Sequence, residues 1–493
     1  MRRQIKRVVI AGGGTAGWTV AAALAKTLGK LVEITLVESD EIGTVGVGES
    51  TIPTARRFHE LLGIDEAEFI RATNASFKLG IKFEGWTREG ESYFHSFGTT
   101  GRGTWLADFH HVWLRAREAG VAKDFGSYCL EHEAALAGKF VAGANAPLNY
   151  AYHLDATAYG KYLRGFAERL GVNRREGRIA KVQLQPETGH IDALLLENGE
   201  RIAGDLFIDC TGFRALLIGE ALGTEYDDWT HWLGCDSALA VQTEPVGAPP
   251  PYTRARTHSA GWQWRIPLQN RVGNGLVYSS AYLSDDAAHD LLRERTEGAF
   301  VTEPRPIRFR TGMRKQVWNR NCIAIGLTGG FVEPLESTSI HLIMIAATRL
   351  LQMFPFDGIS GAAVKRFNDI SRREMEHILD FIILHYHLNH REEPFWRHTA
   401  AMDIPETLRE RIAAFRESAT AWQDPDELFR VDSWVQVMLG QAVLPETVHP
   451  FGTMLGDEAL RRSLAGIASN IAQTAGKLPS HAEYLMHLNK PAA

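Results

Sequence analysis

The chain carries two hydrophobic periods, and their order along it predicts the elements. Val8, Val9 and Ile10 form a short apolar run that breaks into a glycine cluster and then an alanine-rich amphipathic segment, KRVVIAGGGTAGWTVAAALAKTL. A second apolar run, LVEITLVESD, ends at Glu38. Together they predict strand, turn, helix and strand. In SFKLGIKFEGW, residues 76 to 86, Phe77, Leu79, Ile81 and Phe83 alternate with Ser76, Lys78, Gly80, Lys82 and Glu84. That period of two predicts one strand with a single buried face, and it puts Lys78 and Lys82 on the polar face. His95 and Phe97 share a strand face in YFHSFG. Residues 104 to 142 read as helical, ending near Gly138, and a short strand precedes a long helix starting near Asp155.

Residues 178 to 213 predict a β-meander with turns at PETGH and ENGE, then a buried strand ending at Asp209 before a Gly212 turn. Residues 235 to 282 alternate strongly and predict sheet. Within them, Trp262, Trp264 and Ile266 share a face of GWQWRIPL, where Pro267 marks an edge or a strand end. From about residue 336 the pattern turns helical, with a terminal helix from about Asp457. The expected fold is an α/β nucleotide-binding core over residues 1–345, with an inserted β-sheet substrate region. A mainly helical region over 346–493 packs on it and completes the substrate site.

The first turn carries the clearest chemistry. Gly12, Gly14 and Gly17 form G-x-G-x-x-G between a strand and a helix, the context in which that spacing binds a dinucleotide. Gly12 serves the tight turn, Gly14 admits the pyrophosphate and Gly17 lets helix and strand pack closely. The phosphates then meet the free N–H groups and positive end of the helix dipole. Glu38, at the tip of the second strand, suits an adenosine ribose. After it, Gly43, Gly46 and Gly48 keep a loop thin enough to lie along an extended cofactor, with Glu49, Ser50 and Thr51 offering polar contacts.

Composition narrows the class. The 493 residues carry a net charge of −6 with no long single-sign run, so no nucleic-acid surface is expected. Cys129, Cys210, Cys235 and Cys322 are scattered, which argues against a cysteine zinc site and for thiols in a reducing cytoplasm. The basic N-terminus runs straight into the nucleotide strand, so it is not expected to be a signal peptide, and no apolar run is long enough for a membrane span. His385, His387 and His390 are spaced for different helix faces, so no metal site is expected.

Three separated stretches resemble the flavin-dependent tryptophan halogenase family: GGGTAGW at 12 to 18; W-x-W-x-I-P at Trp262, Trp264, Ile266 and Pro267; and FVEPLEST at 331 to 338 together with FKLG carrying Lys78. ILDFIILHYHLNHREEPFWR extends the likeness through the helical half. The resemblance implies a glutathione-reductase-like FAD core and reduced flavin (FADH2) from a separate reductase. With O2 and chloride or bromide it makes hypohalous acid, which crosses to a remote aromatic substrate. Lys78 then either hydrogen-bonds the hypohalous acid or forms a haloamine. Glu336 stabilises the arenium cation and takes its proton. Thr338 and Ser339 match the halide position. Gly12, Gly14, Thr15, Ala16, Gly17, Glu38, Gly48 and Glu49 match cofactor contacts. The backbone of Val182 matches an adenine contact, and Leu327 and Ile340 line the flavin ring. The two tryptophans of W-x-W-x-I-P match the flavin side, holding the organic substrate away from it. His95 and Phe97 match the aromatic walls for an indole. The resemblance also implies a homodimer.

The departures concern the substrate. Ser96 replaces the usual proline, and Ser339 stands where many relatives have glycine. The tyrosine pair and glutamate that grip free tryptophan are not evident in AWQDPDELFRVDSWVQVMLG, residues 421 to 440. Indole or another electron-rich arene is therefore expected rather than free tryptophan. A flavin-dependent aromatic hydroxylase is the rival reading.

Overall fold

The computed structural model describes residues 4–42, 48–143, 146–454 and 456–490. By its contacts the chain divides into two compact units, each assembled from three segments. The first holds residues 1–75, 154–233 and 309–376; the second holds 76–153, 234–308 and 377–493. The linear division at residue 345 is a different partition, between strand-rich and helix-rich sequence. Among the described residues no strand follows Gly330–Phe331.

In the first unit a six-stranded sheet runs in the order Trp318–Asn319, Cys322–Ala324, Leu206–Asp209, Arg7–Ala11, Glu33–Glu38, Asn173–Glu176. All neighbours are parallel except the outermost pair at Trp318. Strand Arg7–Ala11 lies between two others and is buried along Val8, Val9, Ile10 and Ala11, as a continuous apolar run in a parallel sheet should be. Helix Thr15–Leu28 covers the sheet and packs on helices Ala156–Arg169 and Ser339–Gln352. Asp155 starts helix Ala156–Arg169 by accepting the N–H groups of Thr157 and Ala158. The meander is formed by Ile179–Leu184, Ile191–Leu196 and Arg201–Ala203, antiparallel and joined at the two anticipated turns. Asp209 closes the return strand. Its buried carboxylate accepts N–H bonds from Thr211, Leu217 and Ile218 at 3.0, 2.8 and 2.8 Å.

The second unit is built on a seven-stranded sheet ordered Arg305–Arg308, Ser237–Thr243, Val272–Tyr278, Gly261–Pro267, Thr253–His258, Gly80–Glu84, Ser92–Ser96. Pro267 is the last residue of an interior strand, so its missing N–H falls where the ladder ends.

Two expectations change here. SFKLGIKFEGW is not one strand. Ser76–Lys78 pairs with the strand beginning at Ala151, whereas Gly80–Glu84 joins the seven-stranded sheet. Leu79 sits at the break, donating its N–H to Pro251 and accepting from Phe97. With partners on both faces, the polar positions are buried too, and Lys78 is 0% exposed rather than solvated. Lys82, past the break, keeps the anticipated half-exposed place and pairs with Glu84 at 3.2 Å. Residues 104 to 142 are not one helical stretch either. They form Phe109–Glu118, a 3₁₀ turn Phe125–Tyr128 and Leu130–Leu136, the first ending before Gly120 at φ +67°. Among the described residues no helix is long and apolar enough to cross a membrane.

Candidate active site

Within the first unit the glycine turn has the geometry its spacing predicts. Gly12 sits at φ +104°, and a Cβ there would lie 2.3 Å from the Cys210 carbonyl oxygen. At Gly17 a Cβ would fall 1.8 Å from the Gly12 oxygen, so helix and turn touch backbone to backbone. Beside Gly14, the residue that begins helix Thr15–Leu28, there is open space instead. Two glycines thus serve close packing and the third faces room for a ligand at a helix N-terminus, which fits a dinucleotide phosphate.

Gly13 is a functional position that the motif spacing does not mark. Its missing Cβ would lie 1.5 Å from Oε2 of Glu38, whose side chain folds across the turn. Glu38 ends its strand as anticipated. Its Oε1 accepts from Arg174 at 2.6 Å and Arg164 at 3.4 Å, and its Oε2 from the Trp18 indole N–H at 3.3 Å. The side chain is thereby held at the tip of the sheet. The Glu38 carbonyl takes the N–H of Gly177, which ties the approach to the meander and Val182 to the same edge.

Other predicted cofactor positions converge on this turn. A Cβ at Gly326 would meet the Ala16 methyl at 3.0 Å, so the 3₁₀ turn Gly326–Thr328, which carries Leu327, lies against the start of the first helix. Helix Ser339–Gln352, carrying Ile340, packs on both. Thr54, just after Glu49, Ser50 and Thr51, is 2.9 Å from Nδ1 of His341 on that helix. Burial raises the Glu49 carboxyl to about 7, so near neutral pH it divides between acid and carboxylate. Gly43 and Gly46 lie outside the described residues.

FVEPLEST forms a 3₁₀ turn, Pro334–Glu336, followed by Ser337 in the left-handed region at φ +60°. That reversal delivers Thr338 and Ser339 to the N-terminus of a 14-residue helix, and Glu336 is buried beside it. The Thr338 hydroxyl is 1% exposed with its residue and has no hydrogen-bond partner among the described residues. An unpaired buried hydroxyl at a helix start suits an anion.

The second unit holds Lys78, His95 and Phe97. The Lys78 ammonium nitrogen lies 5.2 Å from the centre of the Phe97 ring, a cation–π distance. His95 faces Phe381 at 5.5 Å and Phe429 at 6.1 Å, and these two phenylalanines stack at 3.8 Å. Trp434 meets Phe381 edge-on at 4.9 Å. These three aromatics come from distant helical and loop sequence. No local signal marks them, because each reads as an ordinary core residue. Burial, reinforced by the Lys78 charge and His481, pushes His153 well below the usual histidine range. Trp262 and Trp264 share their strand face as predicted, 6.0 Å apart, and Trp264 occupies the volume that a side chain at Gly275 would take.

Region 421 to 440 is a loop leading to helix Val431–Gly440. Its buried acid, Glu427, is already engaged. Oε2 takes the Arg411 guanidinium at 2.8 Å, and Oε1 takes the Trp434 indole N–H at 2.8 Å.

The built glycine turn of the first unit defines a dinucleotide-binding protein, and the second unit holds a buried lysine against the Phe97 ring. The comparisons identify it further. The tryptophan halogenase family model matches residues 7–457. The chain is 34% identical to tryptophan 6-halogenase SttH of Streptomyces toxytricini over 98% of each chain. It is 34% identical to tryptophan 7-halogenase RebH of Lentzea aerocolonigenes, covering 84% of this chain and 83% of that one. Among solved structures, the flavin-dependent halogenase Xcc4156 from Xanthomonas campestris superposes with a TM-score of 0.98 at 53% identity, covering 100% of both chains. BrvH, a flavin-dependent halogenase from Brevundimonas sp. BAL3, gives 0.95 at 44%, covering 99% of this chain and 100% of that. The chain belongs to the tryptophan halogenase family and is a flavin-dependent halogenase. As such it uses flavin, halide and O2, and takes FADH2 from a separate flavin reductase. The hydroxylase reading is not favoured.

Proposed function

We propose that this halogenase acts on a neutral indole or another electron-rich arene and not on free tryptophan. The observation that carries the reading is the engagement of Glu427. An amino-acid zwitterion entering a buried site needs charged partners to offset its desolvation. In residues 421 to 440 the buried carboxylate is already neutralised by Arg411. Indole carries no such charge and needs no clamp.

The glycine turn fits FAD, with Gly12, Gly14, Thr15, Ala16, Gly17, Glu38, Gly48, Glu49, Val182, Leu327 and Ile340 as its contacts. Bound as FADH2 with O2, it supplies the oxidising equivalent that converts halide into hypohalous acid. Thr338 and Ser339 hold the chloride or bromide through N–H groups at their helix start. Trp262 and Trp264, with Ile266 and Pro267, form the flavin-side wall that separates the organic substrate from the oxidant.

Lys78 donates an N–H to the oxygen of hypohalous acid, with the Phe97 ring centre 5.2 Å from its nitrogen. As the arene carbon takes the halogen, the departing hydroxide takes a proton from Lys78 and leaves as water. Glu336 stabilises the cationic ring and accepts the displaced ring proton. His95 and Phe97 wall the ring. A homodimer is part of the same proposal.

Mass spectrometry of assays with FAD, a flavin reductase, NADH, O2 and either chloride or bromide tests it, with indole and free tryptophan offered in parallel. Halogenated indole with unreacted tryptophan is the expected result. Halogenated tryptophan overturns the substrate reading, and comparing the halides reads their preference directly.

A further inference from the structure

We infer that His481 is a positioning residue for the halogenation step: its imidazole holds the strand that carries Lys78 by accepting the backbone N–H of Phe77. This rests on the reading of Lys78 as the residue that presents the halogen, and it gives helix His481–Leu488 a part in that chemistry.

Strand Ser76–Lys78 lies at the edge of its sheet, paired on one side with Ala151–Asp155, where Lys78 stands opposite Ala151. An edge strand leaves backbone N–H groups for other partners, and buried ones are paired. Here they are filled on both sides of Lys78. Phe77 donates its N–H to Nε2 of His481 at 3.1 Å, and Leu79 donates its N–H to the Pro251 carbonyl at 2.8 Å. Nδ1 of His481 lies 2.8 Å from the Pro249 carbonyl oxygen. Residues 249 to 251 are all proline, so that segment offers carbonyl oxygens and no N–H. At Leu79 it takes the N–H directly. At Phe77 the imidazole stands between the two chains as a link.

These partners fix one form of the ring. A carbonyl oxygen only accepts, so Nδ1 carries the proton. A backbone N–H only donates, so Nε2 is bare. Burial keeps the imidazole neutral, lowering its protonation to about 4. The ring is also fixed at its root. His481 opens its helix beside a reciprocal cap of Ser480 and Glu483, and its own N–H goes to the Gly138 carbonyl at 2.8 Å. Phe140, two residues past Gly138, stacks on the Phe77 ring at 4.1 Å. Without the acceptor at Nε2, the N–H of fully buried Phe77 loses its partner one residue from Lys78, and the strand shifts to recover one. In a positioned reaction a displacement of about 1 Å costs roughly a hundredfold in rate.

Two variants separate the bond from the packing. H481N keeps a donor for Pro249 and loses the acceptor for Phe77, whereas H481Q keeps an acceptor at the reach of Nε2. They are assayed with FAD, a flavin reductase, NADH, O2, bromide and indole. H481N should give at least about tenfold less halogenated indole per hydrogen peroxide released, with flavin still bound, and H481Q should stay within about twofold of the wild type. Crystal structures read the cause without substrate: the Lys78 nitrogen moves by about 1 Å in H481N and keeps its place in H481Q. Where the wild type gives no halogenated indole, these structures decide alone. In the wild type, the ¹⁵N resonances of the His481 ring should place the proton on Nδ1. An H481N yield per peroxide equal to the wild type, a loss in H481Q as large as in H481N, an unmoved Lys78 in H481N or a proton on Nε2 overturns the inference. K78A, run alongside, keeps two failures apart. Continued halogenation by K78A overturns the reading of Lys78, whereas an inactive K78A beside a fully coupled H481N overturns the role of His481 alone.

Discussion

Lys78 is a cation placed where water does not reach, at the end of a three-residue strand. Burying an ammonium carries a large desolvation cost, and natural chains retain such groups where they act. Lys78→Ala should therefore abolish halogenation, read as loss of halogenated product, while FAD absorbance stays with the protein. Wild-type turnover would remove the lysine from the chemistry. Glu336→Gln keeps the shape and removes the charge. It should lower the halogenation rate by roughly a hundredfold while hydrogen peroxide release continues, because electrostatic stabilisation of the transition state is lost and oxygen chemistry is not. An unchanged rate would take Glu336 out of that role. At this scale the sequence was legible where a residue's chemistry matched a motif. It misled at Lys78, whose alternation suggested a solvated face, because the break at Leu79 sends two halves of one pattern to different strands.

At the scale of elements, the contact between helix Thr15–Leu28 and the glycine turn positions the cofactor end of the first unit. It tolerates no side chain. Gly17→Ala would place a methyl 1.8 Å from the Gly12 carbonyl oxygen, and backbone atoms on both sides leave nothing flexible to move. The variant should lose FAD binding and melt several degrees lower, checked by flavin absorbance and thermal unfolding. Unaltered values for both would mean the helix can shift without consequence. This turn was fully readable from spacing. Gly13 was not, since its need for glycine comes from Glu38 on the next strand. Gly275 likewise makes room for Trp264 only because the register sets them opposite each other.

Across the whole chain, buried histidines set the response to acid. Burial lowers His59 and His258 to about 3, and His111, His341 and His481 to about 4, from an ordinary 6.5. The unfolded chain therefore binds more protons below pH 6.5 than the folded one, and stability falls as pH drops from there toward 4. Glu49 acts in the opposite sense. Its folded value of about 7 lies above the ordinary 4.5, so its contribution is present at low pH and lost as pH rises through 7. Five more histidines, His110, His132, His153, His190 and His387, are also lowered, while Glu131, Asp209 and Asp432 are raised with Glu49. The histidines are in the majority, and the thermal midpoint should be lower at pH 5 than at pH 7. Glu49→Gln removes one opposing contribution and should steepen that fall. A midpoint that rises on acidification would contradict the balance.

The sequence by itself determined the glycine turn, the strand that feeds it, the meander, the strand end at Pro267 and the family likeness, because each depends on neighbours within a few residues or on a spaced motif. Only the tertiary structure decided that Lys78 is buried, that Phe381 and Phe429 gather around His95 with Trp434 against Phe381, and that Glu427 is engaged. Those facts depend on which distant segments meet. Periodicity reports how a residue faces its own element, and not what the fold brings against it.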